Sequence, residues 1–132
     1  MPRRLRPVTG SRWSGQMAEG RLPRVDEAIV PEDKLRDYAL NPEHLTGRHK
    51  ARVFQSALGI GQDDWEWLRD QILSAVQEAP IAAVSQDPWG FRYTVPILLE
   101  GLNGATHEVI TAWIVEADDA PPRLTSAYVN IP

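Results

Sequence analysis

Residues 44–52 concentrate side chains that bind anions or transfer protons. The segment has no acidic residue, and five of its side chains are cationic or imidazole groups: His44, Arg48, His49, Lys50 and Arg52. Because Thr46-Gly47 lies at the start of a predicted helix, free N–H groups and the helix dipole add to the attraction for phosphate. Arg48 and Arg52 are four residues apart and share a helix face. We therefore predict an anion site at this helix end.

A second interpretation of this segment is a solvated face without a ligand. The next predicted helix carries three aspartates able to neutralise the cations: Asp63, Asp64 and Asp70. Ion pairs between exposed side chains are frequent and contribute little to stability. The positions of these carboxylates distinguish the two interpretations.

His49 is the candidate for general acid–base catalysis, because imidazole titrates near neutral pH. The positions of His44 and His107 relative to His49 match no known metal-ligand spacing. The sequence has no cysteine, which excludes thiolate zinc sites, disulfides and cysteine nucleophiles. The P-loop, Rossmann and nucleophile-elbow glycine motifs are also missing. We expect neither a metal ion nor a cofactor.

Polar and aromatic side chains recur on the two C-terminal predicted strands: Thr111, Trp113, Arg123, Thr125 and Tyr128. Successive side chains of a strand alternate between the two faces of a sheet. Thr111 is therefore predicted to share a face of the sheet with Trp113, and Arg123 to share a face with Thr125. Tyr128 has the opposite parity to Arg123 unless a bulge intervenes.

Helices followed by strands must position these side chains. Apolar residues at helical spacing predict helices at about 32–40, 46–58 and 63–79, ending at Asn41-Pro42, Gly59 and Pro80. Residues 28–31 predict a short extended segment, and apolar alternation predicts strands at about 81–85, 91–99, 107–116 and 123–131. Asn103-Gly104 predicts a hairpin, and Pro96 predicts an edge strand or a bulge. We predict an α+β fold with N-terminal helices packed on one face of a C-terminal antiparallel sheet of about four strands.

The formal net charge of −4 over 132 residues conceals two regions of opposite charge. Residues 1–24 carry six arginines and one acid, a net of +5, and predict a basic irregular arm. Residues 25–132 carry eight basic and 17 acidic residues, a net of −9, and predict a single domain. Met17 is a plausible native start that would remove residues 1–16. The other interpretations are an arm that grasps nucleic acid and one that packs on a partner or on its own acidic domain.

The apolar pattern predicts a soluble, cytoplasmic protein. No apolar run approaches the roughly 20 residues of a membrane span. The first residues carry positive charge without the apolar core of a secretory signal. We expect no membrane partner.

Five segments, read in order, carry a resemblance: Ala28-Ile29-Val30-Pro31 with Lys34-Leu35 and Asp37-Tyr38, Gly47-Arg48-His49-Lys50-Ala51 with Phe54, Gly90-Phe91-Arg92-Tyr93, Thr111-Ala112-Trp113-Ile114, and Pro122-Arg123-Leu124-Thr125-Ser126-Ala127-Tyr128. Residues 28–128 resemble an uncharacterised bacterial domain family found in toxin–antitoxin-like two-gene cassettes or as terminal domains of larger toxin-like chains. The resemblance implies a small antitoxin-like protein as partner.

The predicted arrangement also resembles the barnase, RelE and colicin group of small ribonucleases. This resemblance implies RNA cleavage without a metal ion, by attack of the ribose 2′-hydroxyl. It implies catalysis by His49, Lys50, Arg92, Arg123 and Tyr128, and phosphate binding by Arg48, Arg52, Thr111 and Thr125. A net charge of −9 opposes RNA binding, so the cationic segment or the arm would have to supply the attraction.

The sequence leaves open whether the domain is an enzyme. The first hypothesis is an endoribonuclease-like toxin domain, and the alternative is a non-catalytic module that binds an anion or an acidic protein through its Arg48–Lys50 patch. If this patch faces away from Arg92 and Arg123, with no shared cleft, the first hypothesis loses most of its support. The oligomeric state does not follow from the sequence.

Overall fold

The computed structural model describes residues 20–117 and 119–131. The helices are α1 (Glu32–Lys34), α2 (Arg48–Leu58) and α3 (Trp65–Val76), and the strands are β1 (Ala83–Asp87), β2 (Gly90–Glu100), β3 (Thr106–Val115) and β4 (Arg123–Val129). A π-helical turn (Leu35–Ala39) continues α1, and 3₁₀ turns lie at Val25–Glu27 and Gln62–Asp64. The predicted α+β class is confirmed. No helix in the described ranges has the length and apolar character needed to cross a bilayer.

The strands form one antiparallel sheet in the order β1-β2-β3-β4. Val95, Ile97 and Leu99 of β2 belong to the buried core with residues of α2 and α3, whereas Leu98 is 75% exposed. This alternation is the two-residue period of a sheet that is covered on one side. We call the covered side the core face and the other side the open face.

Strand β2 is an inner strand only over its first half. Strand β1 pairs with it from Gly90 to Thr94, so among the described strands only β3 is a neighbour of Pro96. A proline is tolerated at such an edge position because it has no N–H to donate to a second neighbour. The predicted edge is confirmed for this part of the strand.

Helix α2 is anchored at its C-terminal end. Gly59 caps the helix in the left-handed conformation, with φ at 69°, which glycine adopts without steric penalty. The β2–β3 hairpin lies against the same end. The Asn103 side-chain amide donates to the Ala57 carbonyl oxygen at 3.2 Å, and the Asn103 N–H donates to that of Leu58 at 3.3 Å. The predicted helix end and the predicted hairpin are both confirmed.

A bulge in β4 changes which of its side chains share a face. The pairing of β3 with β4 shifts next to Trp113, where Thr125 is an additional residue. Because of this extra residue, Arg123 and Tyr128 both lie on the open face. Simple alternation had assigned them to opposite faces.

Residues 20–31 pack against the domain. Leu22 is buried in the core, and the Ile81 N–H donates to the Gly20 carbonyl oxygen at 2.8 Å. The predicted extended segment at 28–31 is confirmed, because Ile29 forms a parallel bridge with Arg123 of β4. Most of the predicted arm, residues 1–19 with Met17, lies outside the described residues.

The first helix departs from its prediction. A continuous helix was expected over 32–40, but α1 is a single turn that widens into the π turn, where the Leu40 N–H donates to the Leu35 carbonyl oxygen at 2.8 Å. This i→i+5 bonding brings Leu35, Ala39 and Leu40 to the same side of the turn. All three are buried, and Tyr38 contacts α2.

Candidate functional site

Lys50, in the first turn of α2, lies close to two tyrosine rings. Its Nζ donates a hydrogen bond to the Tyr38 hydroxyl at 2.9 Å and lies 4.7 Å from the centroid of that ring. The ring centroid of Tyr128, on β4, is 5.9 Å from the same nitrogen. The face of an aromatic ring attracts a cation, so both rings interact favourably with the Lys50 side chain. A flexible side chain is thereby held in one place.

Tyr38 is in turn fixed by the loop before α2. The His44 ring meets the Tyr38 ring edge to face, with centroids 4.9 Å apart and planes at 89°. A Cβ at Gly47 would collide with the Tyr38 carbonyl oxygen, so the close approach requires glycine. His44 Nδ1 accepts hydrogen bonds from the N–H groups of Thr46 at 3.1 Å and of Gly47 at 3.0 Å. These contacts make His44 a structural residue at the start of α2.

The surroundings of Tyr38 favour its phenolate. The hydrogen bond from Lys50 is the largest influence and lowers the pKa of Tyr38 against the opposing effect of partial burial. The positive charges of Lys50 and Lys34 and a hydrogen bond with Thr46 act in the same direction. A tyrosine and two lysines therefore form one electrostatic unit.

The cations of α2 have no carboxylate partner within the described ranges. Four of the eight basic residues of 25–132 form ion pairs: Arg36, Arg69, Arg92 and Arg123. Among the described residues, no carboxylate forms an ion pair with the other four: Lys34, Arg48, Lys50 and Arg52. Among the aspartates proposed to neutralise α2, Asp64 accepts from the Gly61 N–H and Asp70 pairs with Arg69. The interpretation of α2 as a face of ion pairs is therefore not supported.

One groove, which we call the lysine groove, is lined by His49, Lys50 and Tyr128. It has a volume of about 250 Å³, and Val53 and Val129 form its apolar lining. An imidazole that can accept a proton, an ammonium that can stabilise negative charge and a phenol that can donate a hydrogen bond face the same space. Within the described part of the chain, no three metal-ligating side chains come together.

A second groove, the arginine groove, lies on the open face and has a volume of about 420 Å³. Its lining includes Lys34, Trp89, Arg92, Ile114, Glu116, Arg123 and Thr125. Arg123 pairs with Glu116 at 2.9 Å, and Arg92 donates to Asp87. The two guanidinium groups are thus held in place, and Trp89 beside them is 67% exposed.

The remaining predicted phosphate ligands lie outside both grooves. Thr111 is fully buried, where its hydroxyl donates to the Val95 carbonyl oxygen at 2.5 Å and accepts from Trp113 Nε1 at 2.8 Å. A phosphate cannot reach it in this structure. Arg52 lines a separate depression on the other side of α2, and Arg48 is exposed at the start of the helix.

The single cleft that the ribonuclease hypothesis predicted is not observed, because the residues expected to line it divide between two grooves. Neither the lysine groove nor the arginine groove contains both Lys50 and Arg123. Strand β4 contributes to each, with Arg123 and Thr125 in one and Tyr128 in the other. Lys34 links them, because it lines the arginine groove and its charge acts on Tyr38.

Three residues of this region were not candidates from the sequence. No role in a site was predicted for Tyr38, Lys34 or Trp89. The available signal was the spacing of Lys34 and Tyr38, four residues apart, which places them on one helical face. Their relation to Lys50 depends on the loop at Gly47.

Residues 21–131 match the family model of DUF6883, a domain of unknown function. The chain belongs to this family. The matched region of the DUF6883 domain includes both grooves and the buried Leu22. No curated protein matches the sequence.

The DUF6883 domain is similar in fold to one chain of a solved complex, a contact-dependent growth inhibition toxin–immunity protein complex from Klebsiella pneumoniae 342. The TM-score is 0.62 and the sequence identity 16%, and the similarity covers 83% of this chain and 98% of that chain. At this identity the similarity concerns the fold.

Proposed function

We propose that this DUF6883 domain is a toxin-like component of a toxin–antitoxin-type pair that cleaves RNA without a metal ion. The observation that carries the proposal is the lysine groove, where Lys50 is held beside two tyrosines and next to His49. Three of the four basic residues without a carboxylate partner in the described ranges belong to α2. In a domain of net charge −9, this is where an anion would be attracted.

The proposed reaction is an attack of the ribose 2′-oxygen on the adjacent phosphorus. His49 accepts the 2′-hydroxyl proton while the 2′-oxygen forms its bond to phosphorus. The bond from phosphorus to the 5′-oxygen breaks, and Lys50 gives that oxygen a proton. The products are a 2′,3′-cyclic phosphate and a free 5′-hydroxyl. The Lys50 ammonium and the Tyr128 hydroxyl stabilise the charge that develops on the phosphoryl oxygens.

The arginine groove supplies the second part of the proposed substrate site. Arg92 and Arg123 would bind a phosphate next to the scissile one, with Thr125 as an additional hydrogen-bond donor. Trp89 offers an exposed aromatic surface for a base. Thr111, being buried, takes no part in this arrangement.

The proposal also includes a small protein partner. Support comes from the fold of the solved neighbour, which is part of a toxin–immunity protein complex. A partner that covers α2 would need acidic residues, because Arg48, Lys50 and Arg52 have no carboxylate partner in the described part of the chain.

The experiment is controlled expression in bacterial cells of the wild type and a His49→Ala/Lys50→Ala variant, with growth and total RNA followed over time. We expect growth arrest and RNA fragmentation with the wild type and not with the double variant. Arg69→Ala is the matched control, since Arg69 pairs with Asp70 and stacks on Trp65 away from both grooves. Purified wild type should cleave RNA equally with and without a chelator.

The alternative function, a non-catalytic module that binds an anion or an acidic protein, is favoured by one observation. The predicted residues divide between two grooves instead of lining one cleft. Intact RNA and normal growth with folded wild-type protein would support this alternative, and loss of polyanion binding on Arg48→Ala/Lys50→Ala substitution would then identify the surface.

A further inference from the structure

We propose that Tyr38 is a positioning and relay residue, which holds the Lys50 ammonium at the lysine groove and replaces the proton that Lys50 donates. The proposal deepens the proposed function and rests on it. Tyr38 does not line the groove itself, so it acts through Lys50.

Three features hold Tyr38 in place. The π turn presents it, the His44 ring packs on it, and the missing side chain at Gly47 lets the α2 start approach its backbone. The ring in turn fixes Lys50 Nζ by a hydrogen bond of 2.9 Å and a centroid distance of 4.7 Å. Precise placement of this kind is what catalytic groups require.

The environment of Tyr38 also suits a temporary negative charge on its oxygen. Lys34 and Lys50 are both near, Thr46 offers a hydrogen bond, and together they lower the pKa of Tyr38. Tyrosine and lysine side chains titrate in the same pH range. Proton transfer from this phenol to a neighbouring amine is therefore eased.

Lys50 gives its proton to the leaving 5′-oxygen and becomes an amine. The Tyr38 hydroxyl passes its proton to that amine along the existing hydrogen bond, which restores the ammonium and leaves a phenolate. Water then protonates the phenolate, and His49 releases to solvent the proton it took from the 2′-hydroxyl.

The first test is a tyrosinate titration followed by ultraviolet absorbance, which is tractable because the chain has only three tyrosines: Tyr38, Tyr93 and Tyr128. We expect the wild type to contain one tyrosine whose pKa is lowered from the ordinary value. This ionisation should be absent from Tyr38→Phe. In Lys50→Met the pKa of the same tyrosine should rise. Tyr93→Phe should leave it unchanged. Its persistence in Tyr38→Phe, or its indifference to Lys50→Met, would overturn the proposal.

The second test is the pH dependence of RNA cleavage. Tyr38→Phe keeps the ring and its packing, so we expect a folded variant with an unchanged KM, a kcat reduced about 10²-fold and an altered pH profile. A wild-type rate and profile in Tyr38→Phe would refute the relay and leave the proposed function intact. No cleavage by the wild type would refute both, although the titration would still detect the Tyr38–Lys50 pair.

Discussion

The hydroxyl of Thr111 lies 2.8 Å from the indole nitrogen of Trp113, and both side chains are fully buried. The same hydroxyl donates to the Val95 carbonyl oxygen on the neighbouring strand. A residue that resembled a phosphate ligand is therefore part of the core, where it satisfies two polar groups that water cannot reach.

Thr111→Val should destabilise the domain without changing the grooves. Valine leaves the Trp113 N–H and the Val95 carbonyl oxygen without this partner, and we expect the free energy of unfolding to fall by about 1–3 kcal/mol. Denaturant unfolding measures the loss. The control Thr94→Val, on the open face, should change it by less than about 0.5 kcal/mol. Equal effects of the two substitutions would contradict the structural role of Thr111.

Gly47→Ala should disturb the lysine groove through Tyr38. The added Cβ collides with the Tyr38 carbonyl oxygen, so the turn must move away from α2. We expect the free energy of unfolding to fall by about 1–3 kcal/mol and the pKa of Tyr38 to rise. Thermal unfolding and tyrosinate titration measure the two effects. The control is Ser56→Ala, an exposed substitution on α2. An unchanged tyrosinate titration in Gly47→Ala would contradict the close packing of Gly47 on Tyr38.

Asp87 should make the stability of the β1–β2 hairpin depend on acid pH. The hydrogen bond from Arg92 is the main reason that the pKa of Asp87 is lowered, with the backbone N–H groups of Trp89 and Gly90 contributing. A lowered pKa in the folded state means that the stabilisation is present above the ordinary carboxyl range and is lost as pH falls through the lowered value. When the free energy of unfolding is measured across the acid pH range, it should fall less steeply with decreasing pH for Asp87→Asn than for wild type. An unchanged slope in Asp87→Asn would exclude this mechanism.

Arg92 and Arg123 should contribute to RNA affinity through phosphate contacts. Each alanine substitution is expected to weaken the binding of a single-stranded oligonucleotide and to reduce the slope of log K against log salt by about 0.7. Fluorescence anisotropy at several salt concentrations measures both quantities. Arg69→Ala should leave the slope unchanged. If all three variants share the wild-type slope, the arginine groove does not bind phosphate.

The order of elements and most of their ends could be predicted because they depend on local chemistry. Gly59 terminates α2 through its own backbone conformation, and Asn103-Gly104 turns the hairpin within a few residues. The edge at Pro96 likewise follows from a missing N–H. These signals need no knowledge of distant residues.

The division of the candidate site could not be predicted, because it depends on tertiary geometry. The bulge at Thr125 changes the face of Tyr128, and periodicity alone does not show where an extra residue is inserted. Thr111 lies on the core face, where its hydroxyl is satisfied by Val95 and Trp113, and a polar residue type alone does not reveal such a buried position. The pairing of Tyr38 with Lys50 joins residues twelve positions apart through a loop whose path the sequence pattern does not define.

Both grooves are complete only when strand β4 has been synthesised and has joined the sheet. This strand contributes Tyr128 to the lysine groove and Arg123 to the arginine groove, and its Arg123 forms the parallel bridge with Ile29. The ribosome makes it after every helix and after the other three strands. Neither groove exists on a growing chain until β4 emerges, so a protein partner that recognises the finished surface acts after translation of the sheet and not on the nascent helices.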